Sequence, residues 1–318
     1  MNILVTGGAG FIGSNFLCRM IKKYPDYNFI NVDKLTYAGN PDNLKEIQDN
    51  KQYTFIKADI GDKKIIPQIM GDHKITHLIN FAAETHVDRS IESSDVFLQT
   101  NVMGTKNLMD SSLQHKNFQL FYQISTDEVY GSLDLDSNEQ FTEETPLAPK
   151  NPYSASKAAS DMLVMAYFNT FKLPAVISRC SNNYGPNQYP EKLIPFFVKK
   201  LLAGEKVPVY GDGLFVRDWI HVNDHSDAAD IILHQGKPGE IYNIGGDGEI
   251  SNIDLTKKIL KIIGKGDEMI EYVEDRKGHD RRYSMGYGKM NKQFGWKPKV
   301  NFEMGLKETI KHYQMLLT

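Results

Sequence analysis

At 318 residues, with 41% hydrophobic and 24% charged side chains, the chain has the composition of a folded protein with room for one large or two closely joined domains. Its formal net charge of -3 offers no electrostatic case for nucleic acid or an anionic membrane, and two cysteines cannot build a disulfide framework. No apolar run reaches the length of a membrane span and the sequence starts directly on strand-like residues, so neither an anchor nor a secretory signal is expected, and the cytoplasm is the expected location.

In chain order, short apolar runs alternate with helix-length segments. "NILVTG" is followed by the amphipathic "FIGSNFLCRMIKKY", then by "NFINVD", "YTFIKADI", "ITHLINFAAE", "FQLFYQIS" and "LPAVISRC". Strands spaced this way predict an α/β fold, a doubly wound parallel sheet of Rossmann type. The acidic, aperiodic stretch 131–152 is long enough to be expected as a lid or binding loop. Beyond Cys180 the alternation dissolves into "SNNYGPNQYPEKLIP", while "DWIHVNDHSDAADIIL" reads as one more strand and helix. The expected division is therefore a nucleotide-binding domain over 1–178, with a returning segment at about 214–235. A smaller mixed α/β substrate-binding lobe takes 179–213 and 236–318.

"VTGGAGFIG" puts Gly7, Gly10 and Gly13 between a strand and a helix. Glycines there let the backbone turn sharply and approach a pyrophosphate, whose charge faces the helix N-terminus. Asp33 closes the second strand at the spacing expected of a ribose-binding carboxylate, which would repel a 2′-phosphate and favour NAD over NADP. Lys34 beside it is a group that would instead greet a phosphate. The plain alternative is a connecting glycine turn with Asp33 as a strand-end turn former. Ala82 and Ala83 are small enough for a cofactor to approach, or for a strand and helix to pack closely.

The fifth apolar run delivers Thr126, Asp127 and Glu128 in a row. Ionised carboxylates are costly to bury unless something pairs with them or uses them. They are either an exposed turn or an acid/base pair at the carboxyl edge of the sheet, where open α/β folds bind ligands. Further on, "NPYSASK" starts a helix with Tyr153 and Lys157 four residues apart, on one face. For Tyr153 to serve as a base, its pKa of about 10 must drop by roughly 2–3, with help from a nearby ammonium and an oxidised nicotinamide. Tyr and Lys at that spacing also occur in ordinary amphipathic helices.

Taken together, the glycine triplet, Asp33, "ADI", "FAAETHVDRS", "STDEVYG" and "YSASK" resemble the extended short-chain dehydrogenase/reductases that act on nucleotide sugars. "ISTDEVYG", "SNNYGPNQYPEKLIP", "RDW" and "GHDRR" are most similar to the dTDP-glucose 4,6-dehydratases, and the resemblance runs from Met1 to about Trp296. Hexose epimerases carry small residues where Asp127 and Glu128 stand, and GDP-mannose dehydratases and nucleotide-sugar decarboxylases lack the Asp. Thr85 replaces a more usual Ser, and Lys277 a common Pro.

The resemblance implies an NAD-dependent hydro-lyase, cytoplasmic and homodimeric, whose partner is dTDP-glucose as substrate. Tyr153 would take the O4 proton with Lys157 beside it, Thr126 would bond O4, Glu128 would remove the C5 proton and Asp127 would protonate the departing C6 hydroxyl. Beyond the residues already named, Phe11, Ile12, Leu35, Thr36, Asp59, Ile60, Thr100 and Asn183 would hold NAD. Thr85, Asn182, Lys192, Leu193, Pro208, Tyr210, Arg217, Asn252, Arg276 and His279 would hold the substrate, the two arginines matching diphosphate oxygens. His221 and His225 lack a third ligand in any recognisable motif, so no metal is expected and helix-cap or strand-end roles are. The rival readings are a 4-epimerase or decarboxylase sharing the C4 oxidation, and a non-enzymatic NAD sensor.

Overall fold

The computed structural model describes residues 1–275 and 278–317. Strands β1 (Asn2–Thr6), β2 (Asn28–Asp33), β3 (Tyr53–Lys57), β4 (His77–Asn80), β5 (Leu120–Thr126) and β6 (Ala175–Cys180) join the strand Ile241–Ile244 in a seven-stranded sheet. Every pairing in it is parallel, and the spatial order is 241–244, β6, β5, β4, β1, β2, β3. From β1 the chain builds outward to β3, then returns to lay β4 on the other side. That reversal opens a crevice beyond the carboxyl ends of β1 and β4, the usual ligand position in such sheets.

Alternation along each strand decides which layer it feeds. Ile3 and Val5 pack with Phe16, Leu17 and Met20 of helix Phe11–Lys23 and with Ala228 and Ile232 of helix Val222–Gln235. Leu4 points the other way, toward Ile66, Met70, Leu108 and Val164. Tyr122 and Phe121 repeat the split on β5. Each such side chain contributes roughly 1.5–3 kcal/mol through its burial, so a one-residue slip of register is strongly disfavoured.

Outside the sheet, Asn182–Tyr184 pairs with Trp219–His221, Val216–Arg217 with Ile250–Ser251, and Val207–Tyr210 with Ile270–Val273. Helices Leu193–Leu202, Asn252–Ile263 and Phe302–Leu317 enclose a separate core that includes Val198, Leu255, Ile259, Leu306 and Ile310. Two expectations need correcting. The seventh sheet strand comes from 241–244, inside the stretch assigned to the smaller lobe, whereas the run at 219–221 pairs outside the large sheet. Three- and four-residue strands are too short for alternation to rank them. We propose that the sheet domain also takes the 241–244 segment. The 131–152 stretch is not a free lid: Leu133 and Phe141 bridge to Arg282 and Met285, and Phe141 is buried beside Tyr130 and Tyr283. Among the described residues, no helix is long and apolar enough to cross a membrane.

Candidate active site

A cleft of about 300 Å³ opens at the carboxyl edge of β1, β4 and β5. Its floor is the glycine turn. Gly7 has φ +70°, and a Cβ there would sit 2.6 Å from the Ala82 backbone nitrogen. A Cβ on Gly13 would lie 2.5 Å from the Gly7 carbonyl oxygen, so the glycines let three segments close on one point. Helix Phe11–Lys23 starts from Gly10 with no side-chain cap and no acidic residue in its first turn. Its leading N–H groups are left for an anion.

Asp33 accepts from the Ala9 N–H at 2.9 Å and the Leu35 N–H at 2.8 Å. Burial raises its pKa against those two bonds. The Lys34 ammonium pairs with Asp59 at 2.7 Å, an exposed contact that competes with any phosphate. Phe11, Ile12, Thr36, Ile60, Ala82, Ala83, Thr100 and Asn183 line the cleft with them. Leu35 does not: only its N–H serves the site, and its side chain packs on the core around Phe16.

β5 carries the chain into the cleft and ends in the tight turn Asp127–Tyr130, capped by Thr126, whose hydroxyl accepts from the Glu128 N–H at 3.3 Å. Asp127 is 1% exposed, and its Oδ2 has no hydrogen-bond partner. Burial, then the negative charges of Glu128 and Asp218, hold its pKa well above the carboxylate range despite the Thr126 bond and Arg217. Asp127 is therefore a buried carboxyl group pushed toward its neutral form, beside a second carboxyl group on the half-buried Glu128.

Helix Pro152–Phe171 supplies the opposite wall. Asn151 caps it by accepting from the Ser154 N–H at 2.8 Å, and Pro152 takes the first helical position. Tyr153 and Lys157 are buried one turn apart and face the cleft. The Tyr153 hydroxyl meets that of Thr126. Lys157 Nζ donates to the Ile124 carbonyl at 2.7 Å. Here the expected lowering of the tyrosine is absent. Burial first, then the electrostatic influence of the neighbouring Glu128, Cys180 and Asp127, raises the Tyr153 pKa well above its usual value, so the phenol is protonated in the protein alone. Burial likewise lowers that of Lys157, against the attraction of Asp161.

Thr85, Asn182 and Lys192 reach the same cleft, and Lys192 donates to the Thr85 carbonyl at 3.2 Å. Leu193, Pro208, Tyr210, Arg217, Asn252 and His279 do not line it; they lie outside the large sheet, on short strands, helices and loops. Arg217 donates to the Asp280 carbonyl at 2.9 Å and lies 4.2 Å above the Tyr283 ring. His279 stacks on Phe215 at 3.7 Å with Tyr210 at its edge. Pro208 pairs with Glu271, Leu193 packs on the lobe's core, and Asn252 opens a helix with its Oδ1 buried and unpartnered. Arg276 and Lys277 lie outside the described residues.

The family model described as GDP-mannose 4,6 dehydratase matches residues 4–309. The low-salt glycan biosynthesis protein Agl12 of Haloferax volcanii is 48% identical over 313 residues, 98% of each chain. dTDP-glucose 4,6-dehydratase of Actinoplanes sp. is 47% identical over 319 residues, covering 99% of this chain and 98% of its own. The crystal structure of dTDP-glucose 4,6-dehydratase from Bacillus anthracis in complex with NAD matches with a TM-score of 0.92 at 50% identity, over 99% of this chain and 97% of that one. This chain belongs to the dTDP-glucose 4,6-dehydratase family.

A member of the dehydratase family needs a dinucleotide, and the residues present fit one. The glycine floor leaves no space for a Cβ, the helix start above it is uncapped, and Asp33, bonded to the Ala9 N–H of that turn, lines the same cleft. Sequence reasoning missed Asn101, which holds both backbone groups of Glu84 at 2.9 and 3.0 Å and the Ser156 hydroxyl at 2.8 Å. It sits in Leu98–Gly104, a stretch of wider helical turns that no periodicity announces. Gln188, Tyr189 and Glu191 also line the cleft from an irregular loop, where only the density of Asn, Pro and Tyr was a signal. His221 caps helix Val222–Gln235 by accepting from the Asn223 N–H at 3.2 Å, and His225 meets the Asn183 side chain at 2.9 Å.

Proposed function

We infer that this chain is an NAD-dependent dTDP-glucose 4,6-dehydratase, a hydro-lyase that converts dTDP-glucose to dTDP-4-keto-6-deoxyglucose and water. The observation that carries the reading is the pairing of the buried Asp127, whose surroundings favour its protonated form, with Glu128 in one cleft with Tyr153 and Lys157. Epimerisation at C4 has no use for a buried proton donor; elimination of a hydroxyl does.

The C5 hydrogen of a hexose is not acidic until C4 is a ketone. NAD, when bound, supplies the hydride acceptor at C4, returns the hydride to C6, and adds a positive charge that the phenol lacks in the protein alone. Tyr153 takes the O4 proton, Thr126 orients O4, and Lys157 holds positive charge beneath them. Glu128 then removes the C5 proton, Asp127 protonates the C6 hydroxyl as it leaves as water, and Glu128 gives a proton, exchanged with solvent, back to C5 as the hydride arrives at C6. Two carboxyl groups can divide the work because their surroundings separate their protonation states. Arg217 and Arg276 suit the diphosphate, and Thr85, Asn182, Lys192, Leu193, Pro208, Tyr210, Asn252 and His279 complete the nucleotide-sugar side.

Val96, Leu98, Met103, Leu113, Met162 and Phe171 are exposed on the segment 95–113 and on helix Pro152–Phe171, which supports a homodimer through those helices. Sugar nucleotide and NAD are both cytoplasmic metabolites, which supports that location. The test of function is incubation with dTDP-glucose or UDP-glucose and mass spectrometry. Loss of one water from the dTDP sugar is expected, and an unchanged mass with both rejects the reading.

A further inference from the structure

Behind the catalytic groups lies a buried ion pair that the chemistry above does not use. Arg179 Nε on β6 donates to Asp161 Oδ2 at 2.9 Å, and the two side chains are 4% and 1% exposed. The same carboxylate oxygen accepts from the Ser125 hydroxyl at 3.0 Å, and Ser125 lies opposite Arg179 in the β5–β6 register. Asp161 Oδ1 is buried with no hydrogen-bond partner. On its other side, Arg179 Nη1 donates to the Tyr130 hydroxyl at 2.9 Å, with the guanidinium 4.8 Å from that ring. The Tyr130 hydroxyl in turn donates to Asn243 at 2.8 Å.

Resting on the dehydratase reading, we propose that Asp161 and Arg179 are positioning residues for the reaction. Arg179 holds the Tyr130 end of the segment that presents Asp127 and Glu128 directly and its Ser125 end through Asp161, and Asp161, one turn from Lys157, favours the charged ammonium. Ser125 stands two residues before Asp127, and Tyr130 is the last residue of the turn, so one guanidinium network fixes the carboxyl groups from both sides. Asp161 is one helical turn beyond Lys157. The groups facing Lys157 are Asp161 on its own helix, the Ile124 carbonyl on β5 and Cys180 on β6. Asp127 and Glu128 stand at the end of β5. Of these, Asp161 opposes the burial penalty most. Stability is a poor reason for such a pair, since well-packed apolar residues serve a core at least as well.

Two substitutions separate the roles. Asp161→Asn keeps the shape and removes the charge; Arg179→Lys keeps the charge and loses the two-sided grip, which only a planar fork can make. The Lys157 titration is followed by the Nζ signal of 15N-lysine-labelled holoenzyme, assigned with Lys157→Met, and turnover by single-turnover dehydration of dTDP-glucose. Asp161→Asn is expected to move the Lys157 midpoint to lower pH, and the alkaline limb of the rate with it. Arg179→Lys should leave that midpoint in place while slowing elimination after C4 oxidation by about 10²-fold with little change in KM. If Arg179→Lys does not fold, Tyr130→Phe carries the same expectation with both charges intact. A parent-like midpoint in Asp161→Asn overturns the charge role. Parent-like elimination in Arg179→Lys, or in Tyr130→Phe where it is used, overturns the grip. Failure of the parent itself to dehydrate dTDP-glucose rejects the functional reading, while the Lys157 titration still judges the pair.

Discussion

The sheet wall of the cleft and the smaller lobe hold their side chains by different means. On the sheet side, Gly7, Thr126, Asp127 and Glu128 sit at or just past strand ends whose positions are set by seven parallel strands and two apolar layers. In the lobe, Arg217, Tyr210 and His279 come from short strands and loops tied by long-range contacts. Arg281 binds Asp212 at 2.8 Å, Arg282 binds Glu249 at 3.1 Å, and His279 stacks on Phe215. Groups that move protons need placement to a fraction of an ångström, and a sheet edge provides that. The groups we propose to hold a diphosphate and a base tolerate adjustment, so short two-stranded sheets suffice. The comparison teaches where substitutions should act: on rate at the sheet edge, on affinity in the lobe.

The largest effect is expected at Tyr153. Tyr153→Phe keeps the ring and the helix but removes the hydroxyl, so C4 oxidation should fall by roughly 10²–10⁴-fold while NAD stays bound. Stopped-flow absorbance of reduced cofactor reads this directly, and a near-parent rate would place the base elsewhere. Next come the paired carboxyl groups. Glu128→Gln should oxidise C4, accumulate reduced cofactor and take up no deuterium at C5 from heavy water, with turnover lower by a similar factor. On the lobe side, Arg217→Gln should raise KM about tenfold or more, the cost of one charge-assisted hydrogen bond, and leave kcat nearly unchanged. A fall in kcat at constant KM would break the division between the two walls.

Smaller still is the backbone effect of Gly7→Ala. A residue with a side chain at φ +70° costs about 1–2 kcal/mol before its clash with Ala82 is counted. Purified protein should carry less NAD and melt earlier. The smallest effect has the opposite sign. The folded pKa of Asp127 is raised, so the native state binds a proton that the unfolded chain releases once pH exceeds the ordinary carboxylate range. Stability is therefore lost as pH rises from there toward the folded value. Asp127→Asn removes that loss, and at neutral pH it should gain about 1 kcal/mol while losing activity. Thermal unfolding of parent and variant across pH 4 to 8 measures it.

How legible the site was follows the same contrast. Gly7, Gly10, Gly13 and Asp33 were readable because a turn, a close approach and a strand end each demand a residue type. Tyr153 and Lys157 share a helix face by period alone. Beyond β6, period carried nothing: Trp219–His221 and Ile241–Ile244 are too short to rank, and only contacts over long sequence separations decide which one joins the large sheet. Asn101, Arg179 and Asp161 were invisible for another reason. A buried polar residue looks in sequence like any surface one, and its meaning appears only with its partners. The direction of the Tyr153 pKa was likewise out of reach, since it depends first on burial and then on groups more than twenty residues away.

The central claim is that two adjacent carboxyl groups at the end of β5 perform an elimination on dTDP-glucose. It is tested most directly by incubating NAD-loaded protein with dTDP-glucose in heavy water and taking the mass spectrum of the product. The account predicts a sugar nucleotide lighter by one water that carries one solvent deuterium at C5, and neither change in Glu128→Gln. A sugar of unchanged mass, or dehydration by Glu128→Gln at close to the parent rate, would contradict it.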